Sequence, residues 1–142
     1  MGITDPYQLE DGIWRPPRPV VHQEENYDSS AFDLLFRMEQ RHFWYQGRYR
    51  FLWAALRRYL PDLRQKDGPI GMIDIGGGCG GWMERLARRL PQDAFELALG
   101  DSSLRALEFA KSVLPPWVKR YHLDCRNLQW ENRWDVIFCL DV

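Results

Sequence analysis

A chain of 142 residues, 45% apolar and 14% aromatic, is one domain's worth of sequence with enough hydrophobic material for a core, which excludes disorder over its whole length. With 19 basic against 20 acidic side chains the net charge is -1, so no global electrostatic footprint points to nucleic acid or an anionic membrane as partner. Cys79, Cys125 and Cys139 are far apart and form no C-x-x-C pair, which argues against a disulfide framework or zinc knuckle and for a reducing, cytoplasmic setting.

From Met1 to about Asn26 the sequence is polar, carries Pro6, Pro16, Pro17 and Pro19, and shows no apolar period of either kind. Residues 1–28 are therefore expected to be an extended or disordered arm. A helical lead-in is expected over 29–66. Ser30 is placed to cap its first helix, with Asp33 facing the exposed amides, and Phe32, Leu35, Phe36 and Glu39 then lie along one side. The aromatic cluster Phe43-Trp44-Tyr45 interrupts, and Tyr49, Leu52, Trp53, Leu56, Tyr59 and Leu60 repeat at helical spacing, predicting a second helix from Gly47 to Leu60 ahead of Pro61.

Over 67–142 short apolar runs alternate with amphipathic stretches, the pattern of βαβ units and a parallel sheet. Strands are expected at Ile70–Ile75, Ala94–Leu99, Val118–Leu123 and Trp134–Leu140. Helices are expected around Trp82–Leu90 and Leu104–Leu114. The third strand is the most polar and reads as a sheet edge, and the fourth is apolar enough for burial on both faces. No stretch nears the roughly 18 uninterrupted apolar residues of a membrane span, and His22 and His122 lack partners at metal-ligand spacing, so no metal is expected.

The most informative stretch is Asp74-Ile75-Gly76-Gly77-Gly78-Cys79-Gly80-Gly81, between a strand and a helix. Glycines there serve a turn with backbone angles closed to other residues, and let a ligand approach the main chain where a side chain would collide. Read as G-x-G-x-x-G, Gly76, Gly78 and Gly81 match the dinucleotide fingerprint, with Asp101 placed for ribose hydroxyls. Read as D-x-G-x-G-x-G, Asp74, Gly76, Gly78 and Gly80 put a carboxylate beside the turn, which would repel a pyrophosphate and attract a cationic ligand directly or through water.

In these motifs the region resembles a class I S-adenosylmethionine-dependent methyltransferase of the small-molecule branch. The resemblance rests on the glycine turn, on Gly100-Asp101-Ser102-Ser103 with the helix after it, on Leu123-Asp124-Cys125, on Arg133 to Val142, and on the lead-in Glu39 to Arg48. It implies a Rossmann-like, doubly wound parallel sheet in the order 3-2-1-4, truncated after the fourth strand and preceded by two helices. It implies that Asp74, Gly76, Gly78 and Gly80 hold the methionine end of S-adenosyl-L-methionine, Asp101 the ribose, and Asp124 the adenine; Ser102 beside the ribose acid departs from the aliphatic residue the family often has there, so that adenine packing is either weaker or supplied by Cys125 and Leu128. His42, Trp44 and Arg48 would close over the methionine end; in the plainer reading Phe43, Trp44 and Tyr45 plug the helices onto the sheet.

The implied activity is methyl transfer to a small-molecule acceptor, a sugar, lipid or secondary metabolite, with this chain supplying the cofactor-binding half. No catalytic base is assigned; Asp141 lies near the expected methyl position with its side-chain direction unread. The alternatives are a non-catalytic remnant or interaction module and, more distantly, a nicotinamide-binding Rossmann protein. An exposed fourth-strand edge would favour self-association or a complementing chain. Asp74 and Asp101 could instead cap helices, Asp124 could be an ordinary loop acid, and Cys79 is expected to be a small turn residue, not a nucleophile.

Overall fold

The structure, a computed structural model, describes residues 5–22, 29–140 and 142, and of residues 29 and 30 the helical backbone alone. The described residues form the strands β1 (Gln8–Glu10), β2 (Ile13–Arg15), β3 (Ile70–Ile75), β4 (Phe95–Asp101), β5 (Lys119–His122) and β6 (Val136–Phe138). Their helices are α1 (Ser29–Arg41), α2 (Phe43–Leu63), α3 (Gly81–Ala87) and α4 (Leu104–Val113). All the strands join one sheet in the order β1-β2-β5-β4-β3-β6, in which β1 and β2 alone are antiparallel. The α/β architecture with a mostly parallel sheet is the one the alternating sequence pattern predicts.

The sheet is larger than the four strands expected, and the addition comes from the arm. Asp11 and Gly12, with φ of 50° and 78°, make a two-residue turn whose paired positive φ values suit the twist of a hairpin. The hairpin then docks through Trp14, in register with Tyr121 of β5. The arm is thus extended but not free: Tyr7 and Ile13 are buried. As a result β5, expected at the edge, is an interior strand. The expected Ser30 cap, residues 1–4, residues 23–28 and Asp141 lie outside what is described.

Alternation along the strands sorts the core into two faces. Ile70 and Met72 of β3, with Leu97 and Leu99 of β4, pack beneath α2, α3 and α4, while Ile73, Ile75 and Ala98 face the other way. Where a doubly wound sheet would set helices on that second face, the described residues set Tyr7, Trp14, Trp130 and Trp134 around Tyr121. Trp130 stacks on Tyr7 at 4.5 Å between centroids and meets Tyr121 edge-on at 4.8 Å. Such aromatic pairs contribute about 0.5–1.5 kcal/mol each beyond area burial. The Asp5 carboxylate fastens the cluster, accepting from the Tyr121 hydroxyl at 2.8 Å and from Trp130 Nε1 at 3.2 Å.

The second helix is longer than the periodicity predicts. It starts at Phe43 because His42, in extended conformation, caps it, its Nδ1 accepting from the Trp44 N–H at 3.3 Å. Pro61 does not stop it at once; a proline in the last turn removes one N–H, and the helix ends at Leu63. The fourth strand is shorter than predicted, and Ile137 at its centre stays 54% exposed.

Candidate functional site

In the parallel sheet β4 and β6 flank β3 on opposite sides, so the chain reverses its direction of progress across the sheet at β3. The carboxyl end of such a strand opens into a crevice, the usual ligand position in open α/β sheets. The glycine turn lies there. Gly76, Gly78 and Gly80 have φ of 73°, 56° and 86°, the left-handed region in which a side chain is strained. The Gly76 N–H donates to the Gly100 carbonyl at 2.8 Å, fixing the turn to the end of β4, and Gly80 caps α3.

Two acids predicted for this site meet the turn from different directions. By the two-residue alternation Asp74 shares the helical face of Met72. It is 2% exposed, and its Oδ1 is buried with no hydrogen-bond partner. Asp101 reaches across from β4: its Oδ2 accepts from the Gly78 N–H at 2.9 Å and its Oδ1 from the Ser103 N–H at 2.8 Å. Ser103 caps α4, accepting from Ala106 at 3.2 Å, so Asp101 ties the turn to the helix start while remaining half-exposed.

The other predicted residues sit further along. Ser102 follows Asp101 directly; its hydroxyl lies 2.9 Å from His22 Nδ1 and its carbonyl 3.0 Å from His122 Nε2. Beyond β5, Asp124 is engaged by Arg126, both through the backbone N–H at 2.9 Å and through the guanidinium, which holds the carboxyl at about 2. Cys125 beside it is exposed. The hydrogen bonds at Asp124 do not lead back to the glycine turn. Cys79 is buried, its thiol pushed up to about 12 by burial, with Sγ 3.7 Å from the Phe32 carbonyl, a packing position rather than a nucleophile's.

The sequence places Glu39 on a helix side and at the start of the lead-in Glu39 to Arg48, with no role in the site, yet the structure brings it there. It is 9% exposed and its carboxylate occupies the space that a side chain at Gly81 would need. Burial first, opposed by Arg48, the Tyr49 hydroxyl, the Gly81 N–H and Arg85, sets its carboxyl at about 7. Its Oε2 nonetheless keeps no hydrogen bond of good geometry. Tyr49 stacks on Trp82 at 5.4 Å, with the Arg85 guanidinium 4.8 Å and that of Arg48 5.4 Å from its ring centre. The available signal was an acid in line with Phe32, Leu35 and Phe36 on a helix face meant for burial. Phe43 and Trp44, by contrast, are 80% and 63% exposed and plug nothing; Tyr45 packs against the core and His42 caps a helix.

Burial, then the charge of Glu39, raises Asp74 to about 8, with Arg48 pulling the other way and Asp101 adding to the rise. In the unfolded chain an aspartate titrates near about 3.9. Between these values the folded state holds a proton that the unfolded state has lost, so the contribution of Asp74 to stability falls as pH rises through this window. Urea unfolding should therefore show wild type losing a few kcal/mol, in order of magnitude, relative to Asp74→Asn between about pH 4 and about pH 8. Parallel pH profiles for the two proteins would refute the buried, protonated acid.

No protein-family model and no curated protein matches the sequence. Among solved structures, the chain is similar to MMP1179 of Methanococcus maripaludis, described as an S-adenosyl-L-methionine-dependent methyltransferase, with a TM-score of 0.60 and 18% identity over 84% of this chain and 52% of that one. It is also similar to S-adenosylmethionine-bound CalS10, an amino pentose methyltransferase from Micromonospora echinaspora involved in calicheamicin biosynthesis, with a TM-score of 0.57 and 21% identity over 84% of this chain and 44% of that one. The chain thus spans about half the length of these proteins, and what it shares with them is the class I methyltransferase fold.

Proposed function

We propose that this chain, which carries the class I methyltransferase fold, is the cofactor-binding half of an S-adenosylmethionine-dependent enzyme that methylates a small-molecule acceptor. The observation that carries the proposal is the buried, unpartnered carboxylate of Asp74 beside a turn of left-handed glycines, itself hydrogen-bonded to Asp101. A buried anion without a partner is costly unless a cation or a proton meets it. That set of acceptors suits a ligand with a cationic amino-acid end and a ribose, and suits a pyrophosphate poorly.

In this reading Gly76, Gly78 and Gly80 give the ligand close access to the backbone, Asp74 balances its positive charge, and Asp101 with Ser102 takes the ribose hydroxyls. Asp124 and Cys125 frame the adenine side from the end of β5. In this reading the chain divides into the arm 1–28, the helical lead-in 29–66 and the binding region 67–142. Bound S-adenosylmethionine supplies an electrophilic methyl group on a sulfonium. The task of the residues is to hold that end rigid and exclude water while an acceptor is aligned. The unpaired cysteines fit the cytoplasmic setting we propose, and no described helix is long and apolar enough to cross a membrane.

Titration calorimetry of the chain with S-adenosylmethionine, with a nicotinamide dinucleotide as control, tests the proposal. Saturable binding of the first alone is expected. Preference for the dinucleotide, or no binding by a folded chain, would overturn it.

A further inference from the structure

Glu39 and Asp74 come from elements far apart in sequence, α1 and β3, yet both carboxylates lie against the glycine turn. Asp74 approaches from the sheet: a Cβ at Gly77 would sit 2.7 Å from its Oδ2. Glu39 approaches from the helical lead-in and fills the space over Gly81. Each carboxylate keeps one oxygen, Asp74 Oδ1 and Glu39 Oε2, buried and without a hydrogen-bond partner. Glu39 is also the largest charge effect disfavouring ionised Asp74. Two acids crowded about one turn, each with an unused acceptor, are the complement of a compact donor with several N–H groups and a positive charge. A primary ammonium has three such donors and would relieve both the desolvation and the repulsion.

Resting on the cofactor reading above, we infer that Glu39 and Asp74 together form a socket for the primary ammonium of the ligand's amino-acid end, so that α1 determines specificity by requiring that group. Asp74 alone would favour any cation nearby; a second carboxylate from another direction favours the group that can donate to both. The Arg48 guanidinium, 5.0 Å and 5.4 Å from the ring centres of Tyr45 and Tyr49, puts a positive charge at the same end, as an amino acid's own carboxylate requires. The lead-in is thereby a wall of the binding site, and not only a support for the sheet.

The test is a ligand series on the full chain, using S-adenosylhomocysteine, its decarboxylated analogue and methylthioadenosine, which lacks the amino-acid end altogether. Wild type should bind the two amines at least about tenfold more tightly than methylthioadenosine. Glu39→Gln should weaken both amines by about tenfold and leave methylthioadenosine within about twofold. Gln matches Glu in shape and can still accept from Tyr49 and Gly81; Glu39→Asp, which keeps the charge on a shorter stem, is the second variant should Gln unfold, with a smaller, amine-selective loss expected. Equal loss across all three ligands, or none, overturns the inference and makes Glu39 a packing residue. Equal affinities in wild type overturn the socket while leaving cofactor binding intact, and failure of wild type to bind any of the three overturns both.

Discussion

Replacing Asp101 by alanine is expected to lower S-adenosylmethionine affinity by about a hundredfold and to destabilise the fold by about 2 kcal/mol. The carboxylate spans two elements, accepting from Gly78 in the turn and from Ser103 at the start of α4. Hydrogen bonds to a charged group contribute about 1.5–3 kcal/mol each when shielded, and half-exposure here lets water recover part of that loss. The binding penalty is larger because the proposed ribose contact and the shape of the turn depend on the same side chain. Calorimetry on wild type, Asp101→Ala and Asp101→Asn separates these effects: Asn keeps a single carbonyl acceptor and should fall between the two. An alanine variant that binds as wild type does would remove Asp101 from the site.

Gly77→Ala should damage both packing and binding. Its Cβ would overlap Leu99 Cδ1 and lie 2.7 Å from Asp74 Oδ2 and 2.9 Å from its Cγ. Leu99 is fully buried and Asp74 nearly so, which leaves no slack on either side. Overpacking of this kind costs about 1–3 kcal/mol, and the displaced Asp74 should take cofactor binding with it. Gly78→Ala is the informative contrast, because a Cβ there meets nothing within 4 Å. At a φ of 56° alanine is strained by about 1 kcal/mol, so the variant should stay folded while losing affinity where the ligand lies against the backbone. Denaturant melts paired with calorimetry distinguish them; a stable, binding-competent Gly77→Ala would contradict the close packing described.

The βαβ core was legible because its signals are local and redundant. The strand Ile70–Ile75 is continuously apolar but for Asp74, and the proline and glycine punctuation around the helices leaves few alternative boundaries. The hairpin was missed although its signal is short range: Asp11-Gly12 between Leu9 and Trp14 is a strong two-residue turn, masked by the prolines on either side. With the hairpin unread, β5 looked like an edge. Glu39 was missed for another reason. Helical periodicity shows that it faces inward with Phe32 and Phe36, but not that α1 lies over the glycine turn, which is decided by the packing of α1 against Cys79 and α4. Asp101 was visible as a capping acid or a ligand, and the bond to Gly78 that joins it to the turn is a long-range one.

The hairpin also has a consequence for how the sheet can grow. On its flank the outermost strand, β1, is three residues long and wholly exposed, and Glu10 is paired with Arg15 at 3.4 Å, features that discourage a newcomer. The opposite flank ends in β6, parallel to β3 and with Ile137 turned outward. Recruitment of any further strand is therefore directional: an addition beside β6 extends the sheet on the side of the crevice next to the glycine turn, whereas the hairpin already occupies the flank beyond β5.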